Sequence, residues 1–278
     1  MTGAGGMLGT DVVPALRKRG HEPVGLSHRE LDITDGAAVD AALIEHRPDA
    51  VINCAAWTNV DGAEAHEDEA STVNDEAAAL LAAAARAAGA KYVFMSTDYV
   101  FDGAKGVPYV ESDPVNPLSA YGRSKLGGET SVPVANPSSF VVRSSWLFGR
   151  NGKNFVETML GLADAEPEVL VVADQVGCPT YTPHLAGALA ELVEREDYGV
   201  HHIAGRGECS WFEFAQEIFD QAGLETRVMA ATTEMLARPA RRPAFSALVS
   251  ERPDAIRLPA WRKGLAEYLA ERRERLPA

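Results

Sequence analysis

A glycine-rich turn, Gly3-Ala4-Gly5-Gly6-Met7-Leu8-Gly9, opens this chain, and from there short apolar runs exchange with helical stretches to about residue 165. That exchange constrains the fold more than any other feature. Apolar runs stand at Glu22 to Leu26, Ala50 to Asn53, Lys91 to Ser96, Phe140 to Ser144 and Val169 to Val172. Between them, Asp11 to Arg19, Gly36 to His46 and Glu69 to Ala88 space their apolar residues as helices do, with Val39, Leu43 and Ile44 on one face of the second. Strands alternating with helices build βαβ units, so the predicted class is α/β with a doubly wound parallel sheet covered on both faces.

Past residue 165 the rhythm loosens and prolines gather, at Pro179, Pro183, Pro239, Pro243, Pro253 and Pro259. Helices are predicted at Pro183 to Arg195, Ser210 to Ala222 and Pro259 to Arg273, the second opened by a Ser210/Glu213 capping box. Residues 1–165 are therefore read as the main sheet domain. Residues 166–278 are read as a smaller lobe, with some segments returning to the sheet.

Composition removes several function classes. The 278 residues carry 26 Lys and Arg against 40 Asp and Glu, a net charge of −14 that repels phosphate backbones, so no nucleic-acid partner is expected. No apolar run approaches a membrane span, and no charged leader precedes an apolar run. Cys54, Cys178 and Cys209 lack the spacing of a disulfide framework or a zinc cluster, which suits a reducing cytoplasm; no metal site is predicted.

The glycine turn suits a phosphate: residues without Cβ let backbone approach a pyrophosphate, and the following helix presents free N–H groups to it. An ordinary tight turn would leave the same pattern. Such a loop follows a buried strand of about five residues in a Rossmann-type sheet. Only Met1 and Thr2 precede it here, so the first strand is read as truncated and the natural chain as longer by a few apolar residues.

Tyr121 and Lys125, four apart, share one face of a predicted helix. An ammonium beside a phenol is expected to lower the phenol's pKa and make Tyr121 a proton donor to a carbonyl oxygen, although a solvent-facing pair has the same spacing. Thr97 and Asp98 follow the strand at Lys91 to Ser96, where ligands of open α/β sheets bind. Thr97 can polarise the same oxygen, and Asp98 is either a substrate contact or a turn former. Ala55 and Ala56 let a cofactor lie against backbone, with Trp57 as a wall or as core. Arg29, beside His28, stands where an acidic residue would select NAD; it favours the 2′-phosphate of NADP unless it is only a solvated loop charge. Asp32 and Ile33 approach the adenine end. The candidate cofactor set is Gly3, Gly6, Met7, Leu8, Gly9, Arg29, Asp32, Ile33, Ala55, Ala56, Trp57, Met95, Tyr121 and Lys125.

Together these residues resemble the extended short-chain dehydrogenase/reductase superfamily and, within it, the dTDP-4-dehydrorhamnose reductase family. The resemblance rests on TGAGGMLG at 2–9, LDITD at 31–35, RPDAVINCAAWTNVDGAE at 47–64, STDYVFDG at 96–103 and YGRSKLGGE at 121–129. RSSWLFG at 143–149, DQVGCPT at 174–180 and RRPAFSAL at 241–248 complete it. It implies that residues 1–165 bind NADPH, with NADH possible, and that a hydride reaches C4 of a dTDP-4-keto-6-deoxy sugar. By the same resemblance Tyr121 is the acid, Lys125 holds the nicotinamide ribose and Thr97 bonds the sugar oxygen. Asp98, Trp146 and Arg242 touch the nucleotide sugar, with a surface ion pair as the other reading of Arg242. Thr180 and Tyr181 line the same lobe. Some relatives hold Mg²⁺ at a dimer interface through acidic residues; no such site maps here, and a homodimer is a possible assembly. Ser246-Ala247-Leu248-Val249 departs from the family by lacking an Asp after the Leu. Two other readings share the fold: a non-catalytic NADP-binding subunit like the methionine adenosyltransferase β subunit, and a related epimerase or reductase of another dTDP-4-keto-6-deoxy sugar. The intact Thr97, Tyr121 and Lys125 set favours an enzyme.

Overall fold

The computed structural model describes residues 1–275. Its main sheet is parallel. Strands Ala50–Asn53 (β1), Lys91–Thr97 (β2) and Ser139–Ser144 (β3) lie side by side, and Gly199–His202 pairs with β3 at the far edge. Successive residues of β1 to β3 feed opposite cores, which is why these strands are apolar throughout. Ile52, Val93, Phe140 and Val142 pack with Val12, Leu16, Leu185 and Leu189 on one face. Val51, Tyr92, Phe94 and Val141 pack with Val39, Leu43 and Leu81 on the other. The doubly wound α/β class is thus observed.

The sheet's other edge is unusual. Thr2 forms parallel bridges to both Leu26 and Asn53, so a single residue stands in the place of the first strand. Thr2 Oγ1 also donates to Asn53 Oδ1 at 2.7 Å. The strand expected over Glu22 to Leu26 reduces to the one bridge at Leu26, because a parallel ladder is only as long as its partner. A cleft of about 610 Å³ lies here, lined by Val24, Leu26, Leu43, Val51 and Leu81 among others.

Two further expectations need correction. The helix expected over Glu69 to Ala88 is interrupted: Glu67–Ser71 and Ala77–Ala87 flank a π turn at Thr72–Glu76. The turn points the buried Asn74 side chain at its neighbours, where it donates to Trp57 O at 3.0 Å and Ser124 Oγ at 2.9 Å. Val169 to Val172 is a strand, yet it pairs with Arg227–Ala231 outside the main sheet. One face only is buried, with Leu170 exposed between Val169 and Val171.

The second hydrophobic unit combines Phe155–Ala163, Trp211–Ala222 and Trp261–Arg275, with Phe148, Phe214, Trp261 and Tyr268 at its centre. Ser210 opens the middle helix through the full capping box with Glu213. Thr182–Leu192 instead packs on the helix Gly9–Lys18 against the main sheet; Thr182 Oγ1 donates to Asp11 Oδ2 at 2.6 Å. Among the described residues no helix is long and apolar enough to cross a membrane.

Candidate active site

The site lies at the carboxyl ends of the parallel strands. The turn after Thr2 is a cradle shaped for absent side chains. Gly3 has φ +67°, and a Cβ there would sit 2.6 Å from the backbone of Cys54 and Ala55. A Cβ on Gly9 would strike the Gly3 carbonyl oxygen. Gly5 and Gly6 are exposed; Thr10 N and Asp11 N are spent on Gly6 O and Leu8 O, so the N–H groups left for an anion are those of Gly5, Met7 and Leu8 in the turn itself, which have no partner among the described residues. These residues fit the pyrophosphate of a dinucleotide.

The remaining cofactor candidates divide by burial. Leu8, Ile33 and Met95 are core side chains, which limits any cofactor contact of theirs to backbone. Met7 is half-buried beside Gly152, and Ala55 and Ala56 are half-buried after β1. Asp32 spends its carboxylate on Thr34 N and Oγ1, which holds it below the usual carboxylate range. Arg29 is exposed, and Glu30 next to it folds back onto Ser27 N and Oγ. Trp57 packs with Tyr121 around Ala63, Ala70 and Ala120.

Tyr121 and Lys125 lie in the helix Ala120–Ala135. Ser119 caps it by accepting from Gly122 N, and Glu64 accepts from Ala120 N at 2.8 Å. Thr97 ends β2 and caps the single 3₁₀ turn Asp98–Val100 through Tyr99 N. The expected lowering of Tyr121 by Lys125 is not what the structure gives. Burial pushes the phenol up to about 12 despite its hydrogen bond with Thr97. Burial also pushes the Lys125 ammonium down to about 7, against the attraction of Glu129 and Cys54. Both groups have lost water, and desolvation is the largest cause of each shift. The Lys125 ammonium rests 4.2 Å from the centre of the Phe94 ring.

Asp98 is fully buried. It accepts from Thr97 Oγ1 at 3.1 Å and from Ser246 Oγ at 2.5 Å, and burial raises it to about 7. The strap from Arg238 to Glu251 thereby crosses the site: Ser246 N donates to Val176 O, and Leu248 N reaches the Cys178 thiol. Trp146, with φ +48°, stacks face to face on Trp211 at 3.5 Å between ring centres. Such a backbone angle in a tryptophan is strained. Arg242 is ion-paired with Asp61 at 3.0 Å. Thr180 and Tyr181 are buried within the fold, with Thr180 Oγ1 accepting from Gly205 N.

Sequence reading missed Asn74, Glu64, Glu129 and Asp61. Each acts through a partner distant in sequence. Only Glu129 carried a local signal, one helical turn beyond Lys125.

A family model described as RmlD substrate binding domain matches residues 1–274. A dTDP-4-dehydrorhamnose reductase of Streptomyces griseus is 44% identical over 277 residues, covering 96% of this chain and 91% of that one. The crystal structure of a dTDP-4-dehydrorhamnose reductase of Clostridium acetobutylicum superposes with a TM-score of 0.95 at 41% identity, covering 98% of both chains. That of Bacillus anthracis, in complex with NADP, superposes at 0.93 with 38% identity over 97% of both.

Proposed function

Because this chain belongs to the RmlD substrate binding domain family, we propose that it is a dTDP-4-dehydrorhamnose reductase. It reduces the 4-keto group of dTDP-4-dehydro-L-rhamnose to give dTDP-L-rhamnose, with NADPH as reductant. The observation that carries this reading is the hydrogen bond of Tyr121 with Thr97 at the carboxyl end of β2, with Lys125 one turn along the same helix, at the end of the sheet where the glycine cradle lies. Residues 1–165 hold the cofactor and 166–278 mainly the nucleotide sugar. The three free thiols suit a cytoplasmic enzyme.

When bound, the cofactor supplies a hydride to the carbonyl carbon. Tyr121, protonated at neutral pH, gives its proton to the developing alkoxide. Thr97 Oγ1 is held in place by Tyr99 N, and its single proton, given to Asp98 in this structure, turns to the same oxygen when the substrate is bound. The Lys125 cation stabilises the phenolate left behind. Trp146 walls the sugar nucleotide, and Arg242 faces its diphosphate.

The test is to mix the protein, NADPH and dTDP-4-dehydro-L-rhamnose and follow loss of the reduced nicotinamide. Binding of NADPH without consumption on several dTDP-4-keto sugars would return the chain to the class of non-catalytic subunits. Exposed Arg29 carries the NADPH preference, so Arg29→Ala is expected to lower kcat/KM for NADPH about tenfold and leave NADH nearly unchanged. An equal effect on both cofactors would remove Arg29 from the 2′-phosphate.

The pH profile follows from Lys125. Its cation persists below about 7 and is lost above. Reduction needs the cation, so kcat/KM should be flat on the acid side and fall about tenfold per unit on the alkaline side. Asp98 titrates in the same range, so the limb belongs to the pair. A profile flat to about pH 9 would contradict this.

A further inference from the structure

Asp61 stands on the short helix Val60–Ala63, and donors from one segment of the distant strap converge on it. Arg242 Nη1 and Nη2 donate to its two oxygens at 3.0 Å each, Ala240 N at 3.2 Å and Arg238 Nη1 at 3.4 Å. The contact is sheltered: the Arg242 side chain is 14% exposed and that of Asp61 27%. Burial alone would raise the Asp61 carboxyl, but the Arg242 and Ala240 hydrogen bonds hold it below the usual carboxylate range.

The number of N–H groups shows what this contact leaves over. A guanidinium has five. Arg242 gives two to Asp61 end-on and a third to Ala240 O at 2.9 Å. Nε–H and the second Nη2–H remain for a ligand and for the Tyr99 hydroxyl, which is within hydrogen-bonding reach of the guanidinium. These two N–H groups form the side-on fork that matches two oxygens of a phosphate. Tyr99 in turn meets the Tyr121 ring edge-on at 5.9 Å, so the fork is one side chain removed from the reacting phenol. Two guanidinium groups share one carboxylate here, which leaves the cluster net positive and able to accept an anion.

Resting on the function proposed above, we propose that Asp61 is a positioning residue for the substrate: it clamps Arg242 end-on so that the side-on fork is presented to the diphosphate of the nucleotide sugar. The clamp removes rotamer freedom that a long flexible side chain would otherwise lose on binding. It also joins the strap to the helix side of the site before the substrate arrives.

Asp61→Asn keeps the shape and removes the charge. It is expected to raise KM for the nucleotide sugar about tenfold, with kcat changed less than about threefold and KM for NADPH unchanged. Binding of free dTDP, measured by calorimetry without turnover, should weaken by the same factor. The exchanged pair Asp61→Arg/Arg242→Asp separates positioning from scaffolding. It should recover the wild-type Tm while the raised KM for the nucleotide sugar persists, because the cation now stands on the wrong element. The proposal is overturned by an unchanged or lowered KM in Asp61→Asn, or by an exchanged pair that restores KM together with Tm. If the wild-type protein turns over the sugar and binds dTDP but Asp61→Asn does not differ, the positioning role alone fails. If the wild type does neither, the proposed function fails and this inference with it.

Discussion

Replacing Tyr121 by phenylalanine is expected to cut kcat by a factor on the order of 10² or more, with the Kd for NADPH kept within about twofold. The substitution removes one oxygen. The ring keeps its edge contact with Tyr99 and its packing with Trp57 around Ala120, so the helix and the cradle remain in place. What is lost is the proton delivered to the alkoxide as the carbonyl is reduced. The buried phenol, raised to about 12, is fully protonated at neutral pH, the correct state for an acid. Its conjugate base is costly until the Lys125 cation compensates it, so the two residues act as a unit and Lys125→Met should produce a loss of similar size. Stopped-flow single turnovers and nicotinamide fluorescence separate chemistry from binding. Near-wild-type turnover in Tyr121→Phe would remove this residue as the acid.

Local pattern carried three strands of the main sheet and the helix that bears Tyr121 and Lys125, but not the edge strand Gly199–His202. The apolar runs at Ala50 to Asn53, Lys91 to Ser96 and Phe140 to Ser144 became adjacent parallel strands because both of their faces are buried. The four-residue spacing of Tyr121 and Lys125 needed only a helix, and the Ser119 cap supplies its start. Three other features lay outside local pattern. Val169 to Val172 reads as a strand wherever it pairs, and only tertiary packing decides that Arg227–Ala231 is its partner. The π turn at Thr72–Glu76 inserts one residue's worth of slack that helical spacing does not record. The pKa directions of Tyr121 and Lys125 depend on burial, and sequence reports proximity along a helix but not water exclusion. The ion pairs of Asp61 and Glu129 join residues whose neighbours in sequence say nothing of each other.

The pair formed by Glu129 carries the other large effect. Arg143, next to last in β3, has its guanidinium buried, donating from Nε to Glu129 Oε1 at 2.9 Å and from Nη2 to Oε2 at 2.6 Å. Ser96 Oγ adds a bond at 2.5 Å, and the Phe101 ring lies 5.1 Å from the cation. Both side chains are 5% exposed, so water cannot replace either partner. Glu129→Ala leaves an uncompensated buried charge and is expected to cost about 3–5 kcal/mol, a fall in Tm of roughly 10 °C for a chain this size. Removing both charges by Glu129→Leu with Arg143→Met should recover much of that loss, since a well-packed apolar pair replaces the ion pair at little cost. Activity need not follow stability, because Glu129 also raises the Lys125 ammonium toward the charged form. The apolar double variant should therefore fold and bind NADPH while its alkaline limb moves to lower pH. A double variant with wild-type Tm and an unmoved limb would show that the Glu129 charge serves Arg143 alone.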